Sequence, residues 1–469
     1  MNSRSIIGSR LRKLCLKICV LIGEENIKPM KTKILSTFLL VIVLFTTSYS
    51  QTFDKAKLDK FFDTLAEKNK AMGSLTISKD GNILYSRAIG YSQISENGKK
   101  PSTTATRYRI GSISKMFTAV MIFQLFEEGK LQLTDTLDKF FPQIPNAKKI
   151  TIGNMLNHRS GIHSFTSDPN FRTWLMNPKT QSEMLTLIAK STPDFEPGAK
   201  ESYSNAGYVL FGYIIEKITK KSYQAALKER ITSKIGLSDT YLGGKTNLND
   251  NESYSYNYAG NWKIETETDL SIPGGAGAII SNPTDLTKFI NALFNVKLIS
   301  QDSLNQMKTN SMGMFPFPLN DKTLYGHTGG IDGFNSMLIY LPEEKLAVAY
   351  TSNGMVYPIN DILLGVFDIY RNKPFAIPTF ESVAVSGEIL EKYIGVYASA
   401  NFPLKITVTR DAAGLLYAQA TGQSAFPLEA VAQDKFKFDP AGVIVEFDAE
   451  KNQMTLKQGG QKFVFTKEK

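Results

Sequence analysis

The stretch Arg109-Ile110-Gly111-Ser112-Ile113-Ser114-Lys115-Met116-Phe117-Thr118-Ala119 places a serine three residues before a lysine. Residues three apart on a helix share a face, so a helix that begins near Ser112 brings its hydroxyl beside the Lys115 ammonium. A serine hydroxyl is a weak nucleophile that needs a nearby base, and a lysine whose pKa is lowered by burial can supply one. The alternative for this spacing is a helix-capping serine beside a solvated lysine.

The helix that follows Ser112 is predicted to be buried, because it is apolar on almost every face. It ends at Glu127-Glu128-Gly129, where the glycine is a stop signal. Ser112 would lie at the positive end of this helix, which favours an anion that forms there.

The composition is that of a folded globular chain, with 42% hydrophobic and 21% charged residues among 469, enough for two or three domains. The formal net charge of +10 is unevenly distributed: residues 1–50 hold eight Lys or Arg and two Glu, a net of +6, which leaves +4 for the remainder. That excess is scattered and forms no basic stripe with aromatic residues, which excludes nucleic acid as a partner.

The N-terminal region has the pattern of an export signal. Two lysines precede an apolar segment, residues 34–45, and small residues follow it at Ser48 and Ser50. We therefore expect a signal peptide over residues 30–50 that is cleaved before Gln51, and a periplasmic or secreted protein. A retained anchor is the alternative, and membrane contact would then be confined to this segment.

Residues 1–29 precede a second methionine, Met30, and are predicted to be a non-native upstream extension. Both cysteines, Cys15 and Cys19, lie in this extension. The mature chain would therefore carry no disulfide.

Two strand hairpins, residues 74–88 and 335–352, are predicted near the two ends of residues 53–371. The first turns at Asp80-Gly81, a favourable hairpin turn. The middle of the region is mostly helical. We therefore expect an α+β fold in which the two ends of the region form one antiparallel sheet flanked by helices. A mostly helical subdomain would lie beside the sheet, with the active site in the cleft between them.

Residues 373–385 contain Pro374 and Pro378 and are predicted to be a linker. Beyond it, residues 386–469 are predicted to form a small all-β barrel or meander, because short alternating strands are separated by Asp, Gly and Pro turns. We expect this part to act in packing, substrate access or partner binding. The strands predicted there are residues 404–408, 415–418, 435–438, 443–447 and 462–465.

A second candidate site element is Tyr203-Ser204-Asn205, at the start of a helix predicted over residues 206–220. Tyr203, held near a lysine, can exist partly as phenolate and take the Ser112 proton, and Asn205 can donate to a substrate carbonyl. The alternative is that Ser204 or Asn205 caps the helix.

The third element is Tyr325-Gly326-His327-Thr328-Gly329-Gly330, which leads into a predicted strand. Its glycines let the backbone approach another segment closely. The N–H of Gly330, with that of Ser112, can supply two donors to a developing oxyanion. His327 can hold a substrate carboxylate or assist proton transfer. The alternative is a glycine-rich turn with an incidental histidine.

No metal or nucleotide cofactor is predicted. His158 and His163 lack the His-Glu-x-x-His spacing of a zinc site. The run Gly274-Gly275-Ala276-Gly277 has neither the Lys-Ser/Thr of a phosphate loop nor the glycine spacing of a dinucleotide site. We expect it to permit close packing near the cleft.

In the order Ser-x-x-Lys, Tyr-x-Asn and His-Thr-Gly, these elements resemble the serine β-lactamase-related family of penicillin-recognising hydrolases, in particular its class C β-lactamase and DD-peptidase branch. The resemblance runs from about residue 53 to residue 370 and implies a β-lactamase/transpeptidase-like serine hydrolase domain over residues 51–372. Residues 386–469 resemble the β-barrel appendages of many members.

The resemblance implies a role for each motif position. Ser112 would be the nucleophile that forms an acyl-enzyme, Lys115 its activating partner and Tyr203 the general base or acid. The N–H groups of Ser112 and Gly330 would form the oxyanion hole. The implied substrate-binding positions are Asn205, His327, Thr328 and Gly329.

One position departs from the usual family pattern. His327 stands where lysine is usual, as it does in peptidase and esterase-like relatives. A neutral imidazole is a weaker clamp for a β-lactam carboxylate than a fixed ammonium. His158 would belong to a structural turn.

The sequence therefore predicts an exported serine hydrolase that acts through an acyl-enzyme on D-Ala-D-Ala-type peptides, esters or β-lactams. Its partner would be a small-molecule or peptide substrate. A carboxylesterase of the same fold is one alternative. A non-catalytic binding or sensory protein that keeps the fold is the other.

Overall fold

The computed structural model describes residues 53–319, 321–380, 383–411, 414–423, 425–458 and 460–468. The predicted upstream extension, the signal segment over residues 30–50 and the cleavage before Gln51 lie outside these residues and stay predictions. From Asp54 onward, the described residues belong to one compact unit. Within the described ranges, no helix combines the length and apolar character needed to cross a membrane.

The α-helices of the described residues are numbered in chain order. They are α1 (Lys55–Glu67), α2 (Ser114–Glu127), α3 (Ile152–Leu156), α4 (Phe171–Trp174), α5 (Gln181–Lys190), α6 (Asn205–Thr219), α7 (Tyr223–Leu227), α8 (Ser233–Ile235), α9 (Gly274–Gly277), α10 (Pro283–Phe294), α11 (Gln301–Thr309), α12 (Ile359–Tyr370) and α13 (Gly387–Tyr393).

The strands are numbered in the same way. They are β1 (Ala71–Lys79), β2 (Asn82–Ile89), β3 (Tyr91–Ser95), β4 (Gly98–Pro101), β5 (Tyr108–Arg109), β6 (Tyr241–Leu242), β7 (Tyr256–Tyr258), β8 (Trp262–Ile264), β9 (Ile279–Ser281), β10 (Phe315–Leu319), β11 (Lys322–Ile331), β12 (Phe334–Leu341), β13 (Leu346–Met355), β14 (Gly395–Ser399), β15 (Phe402–Arg410), β16 (Leu416–Ala420), β17 (Phe426–Ala430), β18 (Lys435–Phe438), β19 (Val443–Asp448), β20 (Gln453–Gln458) and β21 (Gln461–Lys467).

The main sheet joins the two ends of the predicted hydrolase region. Its six antiparallel strands lie in the order β10-β11-β12-β13-β1-β2. The pairing of β1 with β13 brings Ser74 opposite Thr351 and joins the N-terminal strands to the C-terminal strands of the sheet. Both predicted hairpins are present, and the α+β prediction is confirmed. Eight successive residues of β1 are buried, as expected for a strand covered on both faces.

Helix α2 is the core element of the helical part. Its residues from Ser114 to Leu125 are all buried, which agrees with the apolar pattern of this segment. Ser112 itself lies in a 3₁₀ turn, Gly111–Ile113, that precedes the α-helix. Gly111 has a φ of +50°, a conformation that glycine adopts without steric cost, and this lets the chain turn tightly into α2.

Strands β14 to β21 form a closed, antiparallel, eight-stranded barrel, which confirms the prediction of a C-terminal all-β barrel. Helix α13 contributes Leu390 and Tyr393 to its core. Three of its strands, β14, β17 and β20, were absent from the sequence prediction. Strand β14 begins with a glycine and β17 contains Pro427, both of which are typical of turns, and β20 has two apolar residues among six.

A buried lysine connects the barrel to the start of the main sheet. Lys70 Nζ lies 2.6 Å from Glu429 Oε2 and 3.5 Å from Asp439 Oδ2. Residues of the predicted linker contact both the hydrolase region and the barrel. The ring centres of Phe375 and Phe61 are 5.0 Å apart. The Val383 N–H donates to the carbonyl of Ala430 in the barrel. The domain boundaries at residues 372 and 385 stay predictions.

Two isoleucines allow a matched test of the core assignment. Ile122 on α2 is fully buried, whereas Ile83 on β2 is 52% exposed. We expect Ile122→Ala to lower the free energy of unfolding by about 2–5 kcal/mol, because it leaves a cavity in the core. Ile83→Ala should lower it by less than about 1 kcal/mol. Denaturant unfolding followed by circular dichroism measures both, and equal losses would contradict a core position for α2.

Candidate active site

Lys115 lies at the centre of the candidate site, in the first turn of α2. Its Nζ is 2.9 Å from Ser112 Oγ, 2.8 Å from Asn205 Oδ1 and 2.8 Å from the carbonyl oxygen of Ala276. The side chain is fully buried. The spacing of three residues therefore brings Ser112 and Lys115 together as predicted, although Ser112 sits on the 3₁₀ turn.

Burial holds the pKa of Lys115 well below its ordinary value, which favours the neutral amine. The Asn205 and Ala276 oxygens can only accept hydrogen bonds, so they take the two hydrogens of the neutral amine. The remaining lone pair of Nζ then faces the Ser112 hydroxyl. This arrangement is that of a base positioned to take the serine proton.

Tyr203 contacts the same serine from the other side. Its hydroxyl donates to Ser112 Oγ at 2.7 Å. Lys115 Nζ lies 4.9 Å from the centre of the Tyr203 ring, over its face. Although Tyr203 as a whole is 42% exposed, burial around its hydroxyl raises its pKa, so the structure favours the phenol rather than the partial phenolate expected from the sequence. Tyr203 is thus placed to give a proton rather than to take the first one.

The turn that contains His158 supports Tyr203. The two rings stack with their centres 4.3 Å apart. His158 Nδ1 accepts the N–H of Ser204 at 3.2 Å, and its carbonyl accepts the N–H of Ser202 at 2.8 Å. Burial lowers the pKa of His158 to about 3, so this imidazole is neutral at physiological pH.

Asn205 begins α6 and is fixed through both atoms of its amide. Oδ1 accepts from Lys115, and Nδ2 donates to Thr166 Oγ1 at 2.9 Å. The N–H of Asn205 donates to Ser164 Oγ, so a serine outside the helix caps this end. The Ser204 hydroxyl makes no cap bond. The second hydrogen on Nδ2 of Asn205 is available to a substrate carbonyl.

Strand β11 lies against the Ser112 turn at a glycine contact. A Cβ on Gly111 would be 2.8 Å from Gly330 N, and a Cβ on Gly329 would be 2.1 Å from the carbonyl oxygen of Ile110. Gly330 and Ser112 both line the cleft. The two N–H groups expected to stabilise an oxyanion therefore come from touching segments.

His327 and Thr328 face in opposite directions on β11, because neighbouring strand residues alternate. The Thr328 side is exposed, whereas His327 is 2% exposed and packs 5.1 Å from the Phe315 ring. His327 Nδ1 donates to the carbonyl of Thr328, and burial lowers its pKa to about 3. The structure thus places a neutral His327 beside Tyr203 and not among the described residues that line the cleft.

The cleft has a volume of about 290 Å³ and passes beside Ser112. One set of lining residues is apolar: Phe165, Phe171, Ile272, Pro273 and Ile331. The polar side chains that line it are Ser112, Thr166, Asn205, Thr268 and Asp332. Among these described lining residues Asp332 is the one with an ionisable acid, and no lysine, arginine or histidine is present.

Sequence reasoning missed Arg109 and Asp332. Arg109 Nη1 lies 3.0 Å from Asp332 Oδ2, and the two residues are 223 positions apart in the chain. A signal was present in the sequence: Arg109 directly precedes the apolar Ile110 and the Ser112 motif, and an arginine that is buried needs a partner. The run Gly274–Gly277 packs near the cleft, and its Ala276 carbonyl is one of the Lys115 acceptors.

Comparison with known proteins identifies the family. The Beta-lactamase family model matches residues 58–362. Penicillin-binding protein 4* of Bacillus subtilis (strain 168) is 27% identical over 448 residues, which cover 86% of this chain and 97% of that protein. These matches confirm the family resemblance.

Two solved structures share the fold at 26% identity. D-amino acid amidase from Ochrobactrum anthropi SV3, complexed with D-phenylalanine, superposes with a TM-score of 0.60 and covers 68% of this chain and 99% of its own. The octameric penicillin-binding protein homologue from Pyrococcus abyssi gives a TM-score of 0.61 and covers 88% of this chain and 100% of its own.

The protonation state of Lys115 determines the pH dependence that we expect. Because a neutral amine is required, modification of Ser112 by a fluorophosphonate should accelerate as pH rises through the lowered pKa of Lys115 and then level off. An ordinary lysine would keep the rate rising to about pH 10. His158 and His327, with pKa values of about 3, should add no step between about pH 5 and 8.

The rate of labelling, measured from about pH 5 to 10, tests this expectation. Lys115→Arg should abolish the rise, because a guanidinium stays protonated over the whole range. His327→Gln, the control, should keep the shape of the profile. A rate that still rises near pH 10, or a step removed by His327→Gln, would contradict a neutral Lys115 as the base.

Proposed function

The chain belongs to the Beta-lactamase family, and we propose that it is an exported serine hydrolase that forms an acyl-enzyme on Ser112. The observation that carries the proposal is the continuous hydrogen-bonded series from the Tyr203 hydroxyl through Ser112 Oγ to Lys115 Nζ, with contacts of 2.7 and 2.9 Å. A protein that forms no covalent bond through Ser112 would have no need to bury an amine beside that serine.

The proposed reaction begins when the Lys115 amine takes the Ser112 proton and Oγ attacks a substrate carbonyl carbon. The resulting oxyanion accepts the N–H groups of Ser112 and Gly330. As the bond to the leaving group breaks, the Tyr203 phenol is placed to give that group a proton. Water then attacks the acyl carbonyl: its oxygen joins the acyl carbon, the bond to Ser112 Oγ breaks, and the acid is released as a proton of the water restores the Ser112 hydroxyl. The proton held by the Lys115 ammonium returns to the Tyr203 phenolate through the Ser112 hydroxyl, which contacts both groups, so that the amine and the phenol are both restored.

The charge of the cleft bears on the choice among D-Ala-D-Ala-type peptides, esters and β-lactams. The peptides and penicillins carry a carboxylate. The described lining residues include no cation, His327 is neutral and buried, and the charge of Asp332 is already paired with Arg109. A buried carboxylate needs a partner charge or several donors. We therefore propose neutral esters and amides as the preferred substrates.

The similarity to a D-amino acid amidase supports amides as well as esters. The apolar wall formed by Phe165, Phe171 and Ile272 would contact an apolar side chain of such a substrate. A carboxylesterase and an amidase of this fold would use the same catalytic groups. The charge of the substrate, rather than the type of bond cleaved, is therefore the property to compare.

Replacement of the nucleophile gives a direct test. Ser112→Ala should abolish labelling by a fluorophosphonate, because the attacking oxygen is lost. Ser114→Ala is the matched control: this neighbouring serine is fully buried and its Oγ accepts the N–H of Ile279, so its loss affects packing rather than chemistry. In-gel fluorescence with the purified protein measures both.

The outcomes separate the alternatives. Labelling of the wild type that survives Ser112→Ala, or no labelling of the wild type by either a fluorophosphonate or a fluorescent penicillin, would contradict the hydrolase and favour a binding protein. Ser112-dependent labelling by the penicillin with slow release would favour a DD-peptidase-like enzyme.

A pair of matched esters tests the role of charge. 3-Acetoxybenzamide and 3-acetoxybenzoate differ in one group, a neutral amide in place of a carboxylate. We expect kcat/KM to be roughly tenfold higher for the neutral ester, equivalent to about 1.4 kcal/mol, because the cleft offers no partner for the carboxylate. Equal values, or faster hydrolysis of the carboxylate, would contradict the proposed preference.

A further inference from the structure

Two charged side chains lie next to the segments that carry Ser112 and Gly330. Arg109 is three residues before Ser112, and Asp332 is two residues after Gly330. Arg109 Nη1 is 3.0 Å from Asp332 Oδ2, and each side chain is 2% exposed. Opposite charges are therefore buried between the two segments that supply the proposed oxyanion donors.

Further hydrogen bonds fix both charged groups in one orientation. Asp332 Oδ1 accepts from the N–H and the hydroxyl of Thr268, at 2.9 and 2.6 Å. Arg109 donates to the carbonyls of Thr268 and Gly244, at 2.7 and 3.1 Å. We use the term clasp for the Arg109–Asp332 ion pair with its bonds to Thr268. Neither charged group can rotate without losing several bonds.

Packing alone does not fix the relative orientation of the two segments. The contacts of Gly111 with Gly330, and of Gly329 with Ile110, let the backbones touch, and the dispersion attraction there is weak and non-directional. The Ser336 hydroxyl adds one hydrogen bond to the Ile110 carbonyl, at 2.9 Å. The clasp is the charged link that holds the segments together.

Stability alone does not account for a buried ion pair. An apolar pair of similar volume is often as stable, because two charges must be removed from water. A guanidinium–carboxylate pair differs from an apolar contact in fixing both distance and direction. The position of the ion pair beside the oxyanion donors indicates that it fixes the distance and direction between the two segments that carry them.

We propose that the clasp positions the oxyanion hole: Arg109 and Asp332 hold the N–H groups of Ser112 and Gly330 at the spacing required by the tetrahedral intermediate. Both are positioning residues that act through the backbone. This proposal rests on the proposed serine hydrolase function. Because a misplacement of about 1 Å can lower a rate about 100-fold, loss of the clasp should reduce kcat rather than raise KM.

The experiment replaces Asp332 with asparagine in the full chain. Asp332→Asn keeps an oxygen for Thr268 and removes the nearer of two carboxylates that pair with Arg109. The other is Glu267, whose Oε2 lies 3.4 Å from Arg109 Nη2 and which is not on the Gly330 segment. The matched control is Asp239→Asn. Asp239 pairs with Arg107, which lies two residues before Arg109 in the chain, and Arg107 Nη2 is 2.6 Å from Asp239 Oδ1. Neither Arg107 nor Asp239 is among the described residues that line the cleft.

For each variant, kcat and KM for 3-acetoxybenzamide are measured per active site titrated with a fluorophosphonate, so that unfolded protein does not count. The affinity for phenylboronic acid, which forms a tetrahedral adduct on serine, reports on the oxyanion hole. Asp332→Asn should lower kcat about 10- to 100-fold and weaken the boronate by a similar factor, with KM changed less than about threefold. Asp239→Asn should lower Tm and leave the other values within about twofold.

A kcat for Asp332→Asn within about twofold of the wild type, or no greater loss than in Asp239→Asn, would overturn the proposal. If Asp332→Asn does not fold, Arg109→Lys replaces it: this variant keeps the charge and loses the planar fork, so kcat should still fall at constant KM. An unchanged kcat in Arg109→Lys overturns the proposal. Failure of the proposed function is distinct, because the wild type would then show no Ser112-dependent turnover.

Discussion

The site depends on the burial of a single amine. Lys115 has no access to water, so its hydrogen-bonding needs are met by oxygens from three separate elements: the turn before α2, the start of α6 and the short helix α9. An amine left without these partners would carry a large desolvation cost. The same burial keeps the pKa of Lys115 low, which favours the neutral amine. Burial of this side chain therefore both requires hydrogen-bond partners from three elements and makes the amine a base.

Local features of the site followed from the sequence because their physical basis is local. The spacing of Ser112 and Lys115 reflects helical periodicity, and the apolar run of α2 predicted its burial. Tyr203 and Asn205 lie about 90 residues away in the chain. Nothing in the local sequence around Tyr203 and Asn205 specifies that they contact Ser112 and Lys115. That contact was predicted only from the resemblance to a known family.

Other features required the folded chain. His327 was predicted to hold a substrate carboxylate or to assist proton transfer, in a motif that leads into a strand. The structure places it within β11, where neighbouring side chains alternate between opposite faces, and its side chain is on the buried face. Which face receives His327 depends on the pairing of β11 with β12, and periodicity within six residues does not fix it. Arg109 and Asp332 are separated by 223 positions, so no local pattern links them. The barrel was predicted as a class of structure, but β14, β17 and β20 were missed. A glycine, a proline and a low apolar content in these strands do not match the local pattern of a strand.

The pairing of β1 with β13 in the main sheet has a consequence for how the protein folds. Strand β1 pairs locally with β2, but its other edge pairs with β13, so that Ser74 meets Thr351. That edge must stay unpaired until most of the chain has been synthesised, and an unpaired apolar edge is a template for aggregation. Contacts of such high sequence separation slow folding, since loop closure precedes the gain from pairing. The first strand of the main sheet, β1, therefore cannot complete its hydrogen bonds until β13, the last strand of that sheet in the chain, is available.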